Sequence, residues 1–258
     1  MLNLSVNAIK DFQICERLYD YRHREKTPET IYSRDLYSIK FENTIKNIIH
    51  FFWFKKQAGI TPSYASLLNR WEKIWFPKDT SHYDITTEKH ESAYGNVSSL
   101  TTQAAAVLLR FHETYSEIDL IPISIYDDYV ISIDNTIRIE DKFDVIYREG
   151  NENYVVKLMF NYKNSNHYMY QIDFAAMYLA FKNLHPGRMN QTKFGYIDLL
   201  SNNLSFNEYF INQQDIDSIE YWCDTINSKD VFVPRRGLTQ YCKKCPFDAP
   251  CSKWNGWK

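Results

Sequence analysis

An α/β fold, with a central mixed β-sheet flanked by helices, is predicted from three observations. Residues 1–118 carry apolar side chains at helical spacing. Residues 121–162 switch to β-branched, alternating text broken by turn signals. From there to residue 227, helical and extended segments follow one another. No repeat and no Pro-, Gly- or Ser-rich linker divides the chain. A single domain is therefore predicted over 1–258: a helical part at 1–118, a strand-rich core at 119–211, and a final helix with a cysteine loop at 212–258.

The helical part opens at 3–25, where Ser5 is placed to cap a helix carrying Val6, Ile9, Phe12, Ile14 and Leu18. Cys15 is predicted inside that helix. A second helix at 35–57 buries Ile45, Ile48, Ile49, Phe52 and Trp53, with His50 among them, and stops near Gly59. A third at 63–76 carries Leu67, Leu68, Trp71, Ile74 and Trp75. A polar loop at 77–90 and a helix at 97–118 follow. Strands are expected within 121–133 and over 136–148, joined at Asp134-Asn135. A hairpin turn at 149–153 leads to a strand at 154–162, ended by Lys163-Asn164-Ser165-Asn166. A helix at 169–184 stops at His185-Pro186-Gly187. Strands at 192–200 and 204–211, a helix at 213–227 and an extended run at 231–237 complete the chain.

Composition narrows the class. The 258 residues are 44 % hydrophobic and 16 % aromatic, enough for a sizeable core. No apolar run is long enough to span a bilayer. The first residues lack the basic region and apolar stretch of a signal peptide, so an intracellular, cytoplasmic location is expected. In that reducing setting clustered cysteines favour metal over disulfides. A net charge of −2 gives no global nucleic-acid signature. Arg17, Arg22, Arg24, Lys26, Arg235, Arg236, Lys243 and Lys244 nevertheless concentrate around the cysteines and are expected to favour DNA contact.

Cys242, Cys245 and Cys251 are spaced C-x2-C-x5-C in a turn-rich loop, and Cys15 stands at the far end of the sequence. Four thiolates suit either zinc or an iron–sulfur cluster. Cys223 falls in mid-helix and reads as a core thiol.

These residues carry a resemblance. One cysteine ahead of the core and three behind it, with Leu4-Ser5-Val6 to Cys15-Glu16-Arg17-Leu18-Tyr19 at the start and Val233-Pro234-Arg235-Arg236 to Cys245-Pro246-Phe247 at the end, resemble the RecB-like branch of the PD-(D/E)xK nucleases. The likeness is to members with an iron–sulfur clasp, such as CRISPR-associated adaptation exonucleases and AddB-type helicase–nucleases. It covers nearly the whole chain. It implies a restriction-endonuclease-like core, a [4Fe-4S] cluster on Cys15, Cys242, Cys245 and Cys251, and cleavage of single-stranded DNA or DNA ends with Mg2+ or Mn2+. It also implies work beside a helicase or another DNA-processing protein.

The resemblance assigns the active site residue by residue. Ile48-Ile49-His50 matches the family's late helical histidine. Asp141-Lys142-Phe143-Asp144-Val145-Ile146 matches its metal-binding strand and nominates Asp144 as a ligand of the divalent ion. Phe160-Asn161-Tyr162-Lys163 matches the D-x-K strand, with Lys163 in place and Asn161 where a carboxylate belongs. Gln171 matches the glutamine of the next helix, with Ala175 at its tyrosine position. Two other registers exist. Glu140-Asp141-Lys142 reads as E-x-K, with Asp127 or Asp128 upstream and Glu140, Lys142 and Asp144 on one strand face. Val155-Val156-Lys157-Leu158-Met159 also fits the strand and also lacks the carboxylate. An asparagine keeps the shape of aspartate without its charge, and a hard divalent ion needs anionic oxygen. The expected protein is thus a metal-dependent exonuclease in inactive form, in which Asn161→Asp would create or restore cleavage. The alternative is a catalytically dead nuclease fold that serves as a DNA- or protein-binding module.

Overall fold

The computed structural model describes residues 1–29, 33–75, 97–133, 136–160, 168–234, 242 and 245–252. Strand β1 (Leu2–Leu4) leads into helix α1 (Val6–Ile14), whose first turn is closed by Ser5 Oγ accepting from the Ala8 amide at 3.1 Å. The chain then breaks. Cys15 is extended, with φ −163° and ψ 122°, and is followed by the short helix α2 (Glu16–Tyr19) and a π-helical turn over Asp20–Arg24. The single helix expected at 3–25 is therefore three short helical pieces behind a strand, and Cys15 lies between helices rather than inside one.

Helix α3 (Ser33–Gln57) ends in a Schellman motif: Gly59 at φ +75° lets its own amide reach Lys56 O and the Ile60 amide reach Lys55 O. Helices α4 (Tyr64–Trp75) and α5 (Val97–Tyr115) follow. The predicted loop at 77–90 lies outside the described residues. Strands β2 (Ile121–Ile125), β3 (Asp128–Ser132), β4 (Ile137–Lys142), β5 (Val145–Glu149) and β6 (Glu152–Met159) form the meander. Helix α6 (Tyr168–Leu184), a 3-10 turn (Pro186–Gln191), β7 (Thr192–Asp198), the two-residue β8 (Asn207–Glu208), α7 (Gln213–Asn227) and α8 (Asp248–Ser252) complete the order.

The strands make two sheets rather than one. Five are ordered β2-β5-β6-β7-β8, and three are ordered β1-β4-β3. The strand predicted over 136–148 is cut at Phe143-Asp144, and its halves belong to different sheets. The cut has a cause on the neighbouring hairpin. Tyr126 turns the chain with φ +57°, its amide bonds Asp144 O at 3.1 Å, and the Phe143 amide bonds Asp127 O at 3.0 Å. Both hairpins change sheet at this corner. Apolar side chains at Ile137, Ile139, Phe143, Val145 and Tyr147 keep one parity across it, with only Asp141 as an interruption. The strand expected at 204–211 shrinks to β8.

Alternation along β5 and β6 builds two cores. Val145, Tyr147, Val156 and Leu158 face α3, α4 and α5, where Trp53 stacks on Tyr147 at 5.6 Å. Ile146, Val155 and Met159 face α1, α6 and α7, and Cys223 is fully buried there, as the sequence suggests for a core thiol. The parallel β6–β7 pair joined through α6 places a helix against the second face. The result is an α/β fold with its main sheet flanked by helices. Among the described residues no helix is long and apolar enough to cross a membrane.

Candidate functional site: an ion cluster at the sheet corner and a cysteine cavity between the chain ends

The corner where the sheets part holds a group of buried charges. Asp144 is 6 % exposed, and its Oδ2 accepts from the Leu158 amide at 2.9 Å. Helix α3 brings Lys46 Nζ to 3.9 Å from Oδ2 and His50 Nε2 to 3.6 Å from Oδ1. The histidine distance is too long for a formed hydrogen bond, and Nε2 has no partner among the described residues. Burial pushes the Asp144 carboxyl up. Lys46, His50 and Lys157 overcome that and hold it well below the usual carboxylate range. His50 and Asp144, paired by the resemblance, do meet.

Lys157 is the residue that sequence reasoning underweighted. The β5–β6 ladder ends at Val145–Val156, and one more step puts Lys157 beside Asp144. Its side chain is 17 % exposed, and Nζ lies 3.2 Å from Asp173 Oδ1 on α6. The other oxygen of Asp173 takes Lys10 Nζ from α1 at 2.7 Å. Burial opposes the ammonium, but Asp173, Asp144 and Asp141 hold its pKa well above the ordinary lysine value. Asp173, only 2 % exposed, is raised by burial and then carried below its ordinary value by Lys10 and Lys157. Burial is the leading influence on Asp141 and leaves its pKa raised. The available signal was a lysine inside the apolar run Tyr154-Val155-Val156-Lys157-Leu158-Met159. Asp173 had none beyond its place two residues after Gln171, which is half-buried in the first turn of α6.

The Glu140–Lys142 register is not supported. Glu140 is exposed and faces Arg138 at 3.7 Å, and Lys142 faces Asp128 at 3.1 Å. Both lie on β4 in the small sheet, whereas Asp144 has left the strand, so the three do not share a face. Asn161 and Lys163 lie outside the described residues.

The second site is where the chain ends meet. Phe232 packs on Phe12 and Tyr19 at 6.0 and 5.3 Å, and fully buried Phe247 packs on Tyr21 at 5.3 Å. Glu16 of α2 takes Lys229 Nζ at 2.7 Å and the Val233 amide at 3.2 Å. Around this contact Cys15, Cys242, Cys245 and Cys251 line one cavity of about 180 Å³, together with Ile14, Leu18 and Pro246. The helix break at Cys15 lets its side chain join the C-terminal loop. That loop is wound by amide bonds from Cys245 to Cys242 O, Asp248 to Cys245 O and Cys251 to Phe247 O. Burial pushes the Cys245 thiol up; an amide bond to Phe247 opposes this, and the neighbouring Cys15 and Cys242 add to the rise. Among the described residues no group of three His, Cys, Asp or Glu side chains is gathered tightly enough to hold a single metal ion.

The basic residues beside the cysteines are less available than their number suggests. Arg17 pairs with Asp20 and Glu25, and Arg22 with Asp11 and Glu29. Arg24 lies over the Phe232 ring at 4.6 Å. Arg235, Arg236, Lys243 and Lys244 lie outside the described residues.

Neither a protein-family model nor a curated protein matches this chain.

Proposed function

We propose that this is a nuclease-type α/β domain that binds DNA, single-stranded or at ends, without cutting it, with its termini held by a [4Fe-4S] cluster. Val155 is the observation that supports the loss of hydrolysis: it stands two residues before Lys157, where the D-x-K pattern places a carboxylate, and it is fully buried among apolar side chains. Phosphodiester cleavage in such folds needs a divalent ion between anionic oxygens. Beside Asp144 strand β6 offers Lys157, whose Nζ lies 3.2 Å from Asp173 Oδ1, and no second carboxylate. Asp173 is held by Lys10 at 2.7 Å and Lys157 at 3.2 Å. The donor set beside Asp144 therefore does not fit Mg2+ or Mn2+, and no hydrolytic step is assigned to it. The competing register at Asn161 makes the opposite forecast for a single variant.

The cysteine cavity does fit a polynuclear centre. Four thiols of the type that hold iron–sulfur clusters line it. A cluster there would tie Cys15 to the loop at 242–251 through iron–thiolate bonds, with a redox potential tuned by the surrounding burial.

The test is an assay of a single-stranded oligonucleotide with Mg2+ and with Mn2+, on the parent and on Asn161→Asp. Binding without cleavage by both is expected. Metal-dependent turnover by the parent would overturn the reading. A gain of cleavage in Asn161→Asp would overturn the Lys157 register and restore the Asn161 one.

A further inference from the structure

A groove of about 420 Å³ opens beside the ion cluster, between α3, α4 and the sheet corner. Asn43, Lys46, Asn47, His50, Arg70 and Tyr126 line it. We propose that this groove binds one nucleotide unit, its base on Tyr126 and its phosphate between Lys46 and Arg70. The choice of ligand rests on the DNA-binding reading above; the groove itself stands on its own residues.

The following features point to that ligand class. The described lining holds two cations and no carboxylate. Tyr126 is 50 % exposed and stacks on His50, ring centroids 4.8 Å apart and 30° between planes. Lys142 Nζ lies over the Tyr126 ring, 4.4 Å from its centroid, and its side chain is 40 % exposed, so an incoming base would displace this flexible cation from the ring. His50 is 7 % exposed, and its Nε2 is a buried polar atom without a hydrogen-bond partner among the described residues; Arg70 Nε is another. A non-glycine residue held at φ +57° is a strained arrangement, and such strain collects at binding sites. Asn43 and Asn47, both exposed one helical turn apart on α3, supply amide donors and acceptors of the kind that read base edges. Arg70 is positioned rather than neutralised. Its guanidinium lies 4.4 Å over Phe51 and donates to Asn47 Oδ1 at 3.3 Å, with no carboxylate partner among the described residues. Phe54, 51 % exposed at the same rim, offers a second ring for a neighbouring base.

A nucleotide can arrive free or as part of a strand, so two probes are needed. Anisotropy of a fluorescent oligothymidylate is measured on the parent, Arg70→Ala and Tyr126→Gly, with thymidine 5′-monophosphate as competitor. Glycine accepts φ +57° without strain, so Tyr126→Gly removes the ring and leaves the corner intact, which a thermal melt checks. Each variant is expected to weaken oligonucleotide binding about tenfold. Arg70→Ala is also expected to lower the slope of log K against log salt by about 0.7. Competition by the mononucleotide that disappears in the same variants identifies a free nucleotide as ligand; sensitivity without competition identifies the strand. Parent and variants binding the oligonucleotide alike would overturn the groove and leave the DNA-binding reading standing. Mononucleotide binding that direct calorimetric titration detects in the parent and finds lost in both variants, with no oligonucleotide binding, would keep the groove and remove that reading. Binding of neither probe by the parent overturns the proposal.

Discussion

Lys157 decides the charge balance of the corner because it supplies positive charge where two acidic side chains converge. Asp173 is 2 % exposed, Asp144 6 %, and both depend on cations from other elements to remain ionised. Removing the ammonium while keeping its bulk should therefore be costly. Lys157→Met is expected to lose about 3 kcal/mol of stability at neutral pH in urea titrations, because the surviving carboxylates stay buried with less compensation. The pH dependence has a definite sign. Asp144 and Asp173 have depressed folded pKa values, so their contribution is present above the ordinary carboxylate range and is lost as pH falls through the folded values. Lys157 is shifted upward, so its contribution is complete below about 10.4 and is lost only as pH rises through its higher folded value. The gap between parent and variant should be flat from about pH 6 to 9 and should narrow on the acid side below about pH 4. A gap that widens in acid would show that other groups carry the effect. None of this was legible from local sequence. Lys157 stands in an apolar strand, and its partners come from α1, α6 and the sheet corner.

At the scale of elements, the sequence showed which segments are helices and which are strands far better than where strands stop. Helix α7 begins at Gln213 behind a capping box between Asn212 and Asp215, and α4 keeps its predicted span to within a residue at each end. These helices carry their own start and stop chemistry, so they are readable in isolation. The corner at Tyr126 and Asp144 is different. It is made by hydrogen bonds between two hairpins, and pairing of that kind has no local signature. Strand β8 is short for a related reason. Gly195 on β7 lets β8 approach so closely that a Cβ there would lie 2.1 Å from Asn207 O and 2.7 Å from Phe206 Cζ. Gly195→Ala is expected to push β8 off the sheet edge and cost about 2 kcal/mol, as overpacking does. Hydrogen exchange at the Tyr209 amide, which bonds Phe194 O at 2.8 Å, checks it. Unchanged protection there would mean that β8 yields without separating.

Across the whole molecule, the first and last segments pack on each other through Phe12, Tyr19, Tyr21, Phe232 and Phe247, and the four cysteines surround the cavity beside that contact. The clasp thus has an apolar part and a thiol part, which different variants separate. Cys15→Ala and Cys242→Ala should each abolish the iron content and the broad absorbance near 400 nm of anaerobically prepared protein. Full iron in Cys15→Ala would show that the centre is not closed from the N-terminal side. A colourless parent with stoichiometric zinc would remove the cluster altogether. Because the contacts of Phe232 with Phe12 and Tyr19 do not involve the cysteine loop, the variants should keep their helix content while losing resistance to proteolysis at the two ends.

Local periodicity and short motifs were enough for the α/β class, the order of most elements, the Ser5 cap and the burial of Cys223; His50 and Asp144 came from the resemblance, and the structure brings them within 3.6 Å of each other. The sequence by itself also selected Cys15 and the C-terminal triplet, since three cysteines at that spacing have little role in packing. Only the tertiary structure decided that the strand at 136–148 serves two sheets, that Glu140 and Lys142 face away from Asp144, and that the described arginines near the cysteines are matched by carboxylates or aromatic rings. It also revealed the lysine that pairs with Asp173 beside Asp144. The physical reason is common to all four. Charge pairing and sheet crossing depend on residues brought together from distant parts of the chain, and alternation along one strand is blind to what the neighbouring strand presents.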